Sequence, residues 1–251
     1  NDGQILATND APTLAVVAPL EQNPQMVMWD PATYPDIENM QDIGDAGITV
    51  NVFGGGTFPS VFVAQGIWSE DQLDASYDGT PARFISEGGK IAQQGFASSE
   101  PYNYENVFEE WGGKPLKFQL VHDAGFPIYS QPIGIKTSDL ETMRPCLELL
   151  VPIIQQATVD YAGAPDRANA IIVDTVAQFD SGWIYGEGKA EYSVNMMREL
   201  GLSGNGPDDI VGNFDMDRVQ SVIDAMSGAG MEVPDGLSAS DIVTNEFIDE
   251  S

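Results

Sequence analysis

Short apolar runs alternate with amphipathic stretches through the first half of the chain, and this alternation restricts it to an α/β fold. Residues 13–20 (TLAVVAPL) and 25–29 (QMVMW) read as buried strands, separated by the turn-prone Gln22-Asn23-Pro24. Residues 36–45 predict a short helix that stops near Gly44 or Gly47. Residues 48–53 (ITVNVF) predict a strand, followed by three glycines and a helix over 57–65. A further strand–loop–helix unit runs from residue 90 through Phe96 into 100–111, with later strands at 117–121 and 131–135. Strands that recur between helices pair mostly in parallel, because each crossover returns the chain to the same end of the sheet.

The character changes after Ser138. Ser138-Asp139-Leu140-Glu141 has the form of a helix start with an acid three positions on. Helical periodicity then covers 147–161, 165–179, 189–200 and 216–226, with Pro165 suited to a first turn and Gly201, Gly228 and Gly230 to helix ends. The tail from Pro234 is looser and keeps Ile242, Val243, Phe247 and Ile248 for docking. Three parts result: 1–45, an α/β core over 46–137, and a helical region over 138–251.

With 42% hydrophobic residues the chain can bury a substantial core, as one large domain or two smaller lobes. No apolar run reaches the roughly 18 residues that span a bilayer; residues 147–154 are interrupted by Glu148 and Pro152. Ten basic residues face 39 acidic ones, a net charge of −29. That field repels phosphates and anionic lipid, so no nucleic-acid partner is expected. The acids are scattered, as at Asp208, Asp209, Asp215 and Asp217, which marks a solvated acidic surface suited to a salty medium. The single cysteine, Cys146, excludes an internal disulfide and a multi-cysteine zinc site; at helical spacing among Leu147, Leu149 and Leu150 it reads as a buried thiol.

Three stretches carry chemistry. Gly54-Gly55-Gly56-Thr57 lies between a strand and a helix, where backbone N–H groups approach a ligand oxygen or simply make a tight turn. It lacks the lysine of a phosphate-binding loop and the spacing of a dinucleotide fingerprint. In Ser76-Tyr77-Asp78-Gly79-Thr80-Pro81, Tyr77 suits stacking on a flat ligand and Asp78 suits accepting its hydrogen bonds; a plain loop cap is the alternative. A strand at residues 93–96 ends in small residues, and Glu100-Pro101-Tyr102 then opens a helix, with Glu100 serving either a ligand or the helix start. The only histidine, His122, has no recognisable serine or cysteine nucleophile beside it and reads as structural. No cluster with metal-ligand spacing is present, Asp215-Met216-Asp217 reads as a helix cap, and Trp29, Trp68, Trp111 and Trp183 read as core. Neither a catalytic group, a metal nor a cofactor is expected.

Residues 76–81, followed by Ile91-Ala92-Gln93-Gln94-Gly95-Phe96 and Glu100-Pro101-Tyr102-Asn103-Tyr104-Glu105, resemble the substrate-binding proteins of ABC transporters. The group suggested takes thiamine pyrimidine precursors, riboflavin-like molecules, or taurine and alkyl sulfonates. A glycine-rich turn and a Gly/Gln-rich segment ending in Glu-Pro stand in the family's order here, at residues 54–57 and 94–101. The resemblance implies a two-lobed α/β clamp of the type 2 periplasmic-binding class, holding ligand in an interlobe cleft and closing by hinge motion. Residues 1–45 then belong to the first lobe, 46–137 to the second, and 138–251 cap and return to the first. Residues 1–11 resemble the end of the family's opening β-α-β-α portion, whose earlier part the resemblance places before Asn1. The implied ligand contacts are Asn9 and Asp10 from the first lobe, and Gly55, Gly56, Thr57, Tyr77, Asp78, Glu100 and Tyr102 from the second. The excess of acids near these motifs favours a neutral or donor-rich heteroaromatic molecule over a sulfonate or nitrate. A monomer placed outside the cytoplasm, free or lipid-anchored, and read by a membrane permease, completes the expectation.

Two rivals remain at this level. A thiamine-pyrimidine synthase-like enzyme shares the fold, but it needs a consumable histidine and a cysteine-rich iron motif, against which stand only His122 and Cys146. A ligand-sensing module of a regulator would differ by a DNA-binding helix pair in place of a secretory signal.

Overall fold

The computed structural model describes residues 1–179 and 182–250. The chain divides into two compact units: Asn1–Asn23 with Pro127–Ser227 and Met231–Ser251, and Pro24–Phe126 with Gly228–Gly230. They exchange chain after residues 23 and 126, where the sequence reading draws its boundaries after 45 and 137.

The first unit contains α1 (Asp2–Ala7) and β1 (Thr13–Val17). Pairing antiparallel with β1 is β7 (Ile133–Lys136), which makes a two-stranded ribbon. The helices of this unit are α6 (Leu140–Gly163), α7 (Asp166–Phe179), α8 (Glu187–Glu199), α9 (Met216–Gly228) and α10 (Ala239–Ile242). α6 buries the line Leu147, Val151 and Gln155, spaced four apart along one face. Leu147 and Val151 pack with Val16, Val17 and Phe247, so the loose tail docks as its apolar residues require. Gln155 is satisfied inside the unit: its Nε2 donates to the Val211 and Asp249 carbonyls, and its Oε1 accepts from the Asp249 N–H. Cys146 stands off this line and is exposed, contrary to the expected buried thiol. Ser138 does not cap α6 either; a single 3-10 turn, Thr137–Asp139, precedes it. Asp215 does open α9, its Oδ1 accepting from the N–H groups of Asp217 and Arg218. On α7, no described residue is buried, and Ile171 and Ile172 face outward. Among the described residues no helix is long and apolar enough to cross a membrane.

The second unit is a five-stranded sheet of order β4-β3-β5-β2-β6. Its strands are β2 (Gln25–Trp29), β3 (Val50–Asn51), β4 (Leu73–Asp74), β5 (Ala92–Phe96) and β6 (Lys117–Leu120). Its helices are α2 (Met40–Asp45), α3 (Thr57–Ala64), α4 (Ala82–Ser86) and α5 (Glu100–Asn106). β3 runs parallel to β4 and β5, but β2 runs antiparallel to β5 and β6. The expectation of mostly parallel pairing is therefore corrected: β2 is the strand by which the chain enters the unit, and no crossover helix from a preceding strand of this sheet sets its direction. Met26, Val27, Met28 and Trp29 are fully buried in β2, which lies inside the sheet between β5 and β6. α2 starts on a capping box, Asn39 accepting from the Asp42 N–H while the Asp42 carboxylate accepts from that of Asn39. Trp68 packs edge-on against Phe58 and Phe62, and Phe84 sits among Tyr104 and Trp111. Each such fully buried ring contributes about 1.5–3 kcal/mol. Trp29, Trp68 and Trp111 are core as expected; Trp183, in the first unit, is 74% exposed.

Candidate functional site

Because β3, β4 and β5 point the same way, their carboxyl ends share one edge of the sheet, and each is followed by one of the three motifs. Residues 54–57 follow β3, residues 76–81 follow β4, and residues 97–105 follow β5. Ligands of open α/β sheets bind outside such an edge.

Side chains knit the three loops together. Asn51, last in β3, donates through Nδ2 to the Asp74 carbonyl and to Ser76 Oγ, both at 3.1 Å. The Phe53 N–H donates to Gln94 Oε1 at 3.0 Å, and the Tyr77 N–H donates to the Val52 carbonyl. Phe53 and Tyr77 meet ring to ring at 4.5 Å, tilted by 52°. Gly55 has φ +80, a left-handed conformation that lets the chain turn sharply into α3, and Gly56 caps that helix without a side chain. Glu100 Oε2 accepts from the Phe96 N–H at 2.7 Å, tying α5 to the end of β5. Asp78 turns back on its own loop, accepting from the Thr80 N–H and hydroxyl; those bonds hold its carboxyl below the ordinary range.

Tyr77 and Tyr104 form the floor. Both hydroxyls are pushed well above the usual phenol range, first by burial; the charge of Glu100 adds to the effect at both, with Asp78 contributing at Tyr77. The two tyrosines and Glu100 therefore share one local field. Gln93, beside Asn51 in the β3–β5 register, donates through Nε2 to the Tyr104 hydroxyl at 3.1 Å. Asn51 Oδ1 and Gln93 Oε1 are buried and accept no hydrogen bond from any described residue. Two acceptors lie side by side, each with capacity to spare.

Gly55, Gly56, Thr57, Tyr77, Asp78 and Glu100 thus belong to one edge. Tyr102 does not face Glu100: two residues apart on α5, they point to different sides, whereas Tyr104, at i+4, shares the Glu100 face. Asn9 and Asp10 lie in the first unit, exposed in the turn after α1. His122 sits in the turn after β6, its carbonyl accepting from the Gly125 N–H. Sequence reasoning missed Phe53, Asn51, Gln93 and Tyr104. The signal for two of them was visible, since Asn51 and Gln93 are amides inside otherwise buried strands. Two aromatic rings at this edge are open to solvent, Phe53 at 38% and Phe96 at 39%, while Tyr77, against Phe53, is 8% exposed.

No family model matches the chain, and no curated protein matches it either. Solved structures do. A protein of Bordetella bronchiseptica RB50 superposes with a TM-score of 0.58 at 14% identity, over 98% of this chain and 76% of that one. The alkanesulfonate-binding protein SsuA of Xanthomonas axonopodis pv. citri, bound to MOPS, gives 0.59 at 11% identity, over 96% and 77%. The periplasmic sulfonate-binding protein SsuA of Methylobacillus flagellatus KT gives 0.57 at 9% identity, over 98% and 70%. At such identities the likeness is one of architecture alone: the chain has an α/β fold similar to that of these three structures.

Proposed function

We propose that this chain is the solute-capturing component of an ABC importer, acting outside the cytoplasm as a monomer that presents its cargo to a membrane permease and carries out no chemistry. The observation that carries this reading is the convergence of three loops, with Phe53, Tyr77, Tyr104 and Glu100, at the carboxyl edge of three parallel strands. The fold supports it, since two of the superposed structures are sulfonate-binding proteins by name.

The ligand we propose is a small, flat heteroaromatic molecule of pyrimidine or flavin type, rich in N–H and O–H donors. Acceptors dominate the edge: the Glu100 and Asp78 carboxylates, with the Asn51 and Gln93 amide oxygens buried behind them. A sulfonate is all acceptor, and the Gly56 N–H in the glycine turn is already bonded to the Phe53 carbonyl. The stacking role given to Tyr77 in the sequence passes to Phe53, with Tyr77 as its support. Tyr102 remains a secondary contact in this proposal.

A thermal-shift screen with pyrimidines, thiamine precursors, riboflavin, taurine and alkyl sulfonates tests both levels. A ligand present at a hundred times its dissociation constant adds about 2.7 kcal/mol. Stabilisation by a heteroaromatic compound, abolished in Glu100→Gln and weakened in Phe53→Ala, is the expected result. Stabilisation by sulfonates alone would sink the ligand class and keep the binding role. No stabilisation of a well-folded sample by any of them would count against both.

A further inference from the structure

Alone among the α-helices of the first unit, α7 buries none of its described residues, and Ile171 on it is 56% exposed. It packs along α8, and between the two runs a groove of about 640 Å³. The floor is Ala170 and Val173 from α7 with Ala190 and Val194 from α8, the last two almost fully buried. One end is closed. There the Tyr161 hydroxyl donates to Asn169 Oδ1 at 3.0 Å, and Arg198, in the last turn of α8, donates through Nε to the Ala162 carbonyl at 2.7 Å. On α8 the lining residues Glu187, Ala190, Glu191, Val194 and Arg198 follow one helix face, and on α7 Asp166, Ala170, Val173 and Asp174 do the same. A trough between two helices, each about 20 Å long, is the shape into which a third helix packs, its ridges entering the seam.

The walls select the occupant. Asp166 and Asp174 stand on one side and Glu187 and Glu191 on the other, all exposed. None of the four has a hydrogen-bond or ion-pair partner among the described residues, whereas Asp74, Glu38 and Glu141 meet Arg83, Lys117 and Arg144. Asp166 and Glu187 are first-turn acids that suit their own helix starts. Asp174 and Glu191 lie beyond the first turn, where no helix end accounts for them. Arg198, the cation lining the groove among the described residues, is committed to a carbonyl. An apolar floor between negative walls complements a helix with an apolar stripe flanked by cations. A second copy of the chain, at −29, would bring like charge to like, and so would an anionic lipid surface.

We propose that the α7–α8 groove docks a basic amphipathic helix of a partner protein. Its apolar stripe lies on Ala170, Val173, Ala190 and Val194, and its lysines or arginines meet Asp174 and Glu191. The proposal does not rest on the transport reading, and it uses none of the residues at the carboxyl edge of the sheet.

The test is the fluorescence anisotropy of a labelled synthetic peptide titrated with the full chain. The peptide has about 18 residues, enough to span the groove, with leucine at every third or fourth position and lysine on either side of that stripe. Saturable binding is expected, about tenfold tighter than for a scrambled peptide of equal charge, the worth of one buried apolar side chain. Asp174→Asn with Glu191→Gln should weaken it about fivefold, as for the loss of two exposed ion pairs. Ala170→Lys, which sets a cation on the floor, should abolish it. Glu109→Gln with Glu110→Gln removes the same charge from the second unit and should leave binding unchanged. Circular dichroism establishes that each variant is folded; if Ala170→Lys is not, the neutralised pair decides. Absence of binding overturns the proposal. Equal binding of the scrambled peptide, or equal weakening by the second-unit pair, would reduce the effect to the field of the whole chain and also overturn it. So would self-association of the chain that Ala170→Lys abolishes, or binding to phosphatidylserine vesicles that the same substitution abolishes.

Discussion

Gly95 sits in β5 with the Glu100 side chain folded over it, and adding one methyl group there should reveal how tightly the loop after β5 is held. A β-carbon on Gly95 would lie 2.9 Å from Glu100 Cγ, 3.2 Å from Glu100 Cδ and 3.2 Å from Met26 Cε. The first distance is below anything real side chains tolerate, so Glu100 must move, and its 2.7 Å bond to the Phe96 N–H moves with it. Over-packing costs about 1–3 kcal/mol. Restricting the unfolded chain returns about 0.4–1 kcal/mol, since the φ of Gly95 is not in the left-handed range. Gly95→Ala should therefore destabilise by about 1–2 kcal/mol, read as a lower midpoint at unchanged slope in urea. In a Glu100→Ala background the clash is gone except for the flexible end of Met26. There the same substitution should be neutral or slightly stabilising, a coupling of about 1–2 kcal/mol in the double-mutant cycle. If Gly95→Ala costs as much without Glu100 as with it, the carboxylate does not rest on that glycine, and the picture of a fixed acidic edge fails.

Charge sets two further outcomes. Tyr77 and Tyr104 keep their protons in the folded chain above the pH at which the unfolded chain releases them. The folded state then binds more protons, so stability should fall as pH rises through about 10. Burial also raises Tyr34, Tyr129 and Tyr161, so near-ultraviolet titration should show Tyr77 and Tyr104 among several late phenols, and Tyr77→Phe with Tyr104→Phe should reduce the alkaline loss; an unchanged loss would refute the assignment. A net charge of −29 stores self-repulsion that salt relieves, the screening length shrinking from about 30 Å at 0.01 M to about 3 Å at 1 M. The melting temperature should climb with sodium chloride, and a flat response would mean the acids are spaced too widely to matter.

Periodicity decides how much of the molecule is legible in its sequence. β2 and the helices after Ser138 announce themselves, because uniform burial or a one-sided stripe leaves a pattern along the chain. Strand direction leaves none, so the antiparallel setting of β2 had to come from the pairing itself. The three loop motifs were readable as strand-to-helix turns, and parallel β3, β4 and β5 then bring them to one edge. Their floor was not readable in the same way. Tyr104 matters only because α5 places it one turn beyond Glu100, and Gln93 only because β5 sets it beside Asn51. Cys146 shows the converse: its neighbours are apolar, yet the buried line of α6 runs through Leu147 and Val151 and leaves it outside.

The second unit is almost one uninterrupted stretch, residues 24–126, while the first is assembled from the chain segments on either side of it. This gives synthesis an order. Once residue 126 has cleared the ribosome, every strand of the five-stranded sheet is present and can pair, and domains generally fold as units while translation continues. The first unit must wait, because β1 finds β7 only after that stretch is complete, and Val17 reaches Phe247 only once residue 247 has been made. During that interval β1 is an unpaired apolar strand. A translational pause or a slow tail would expose it longest, so damage from poor expression should strike the first unit and spare the sheet that carries Phe53 and Glu100.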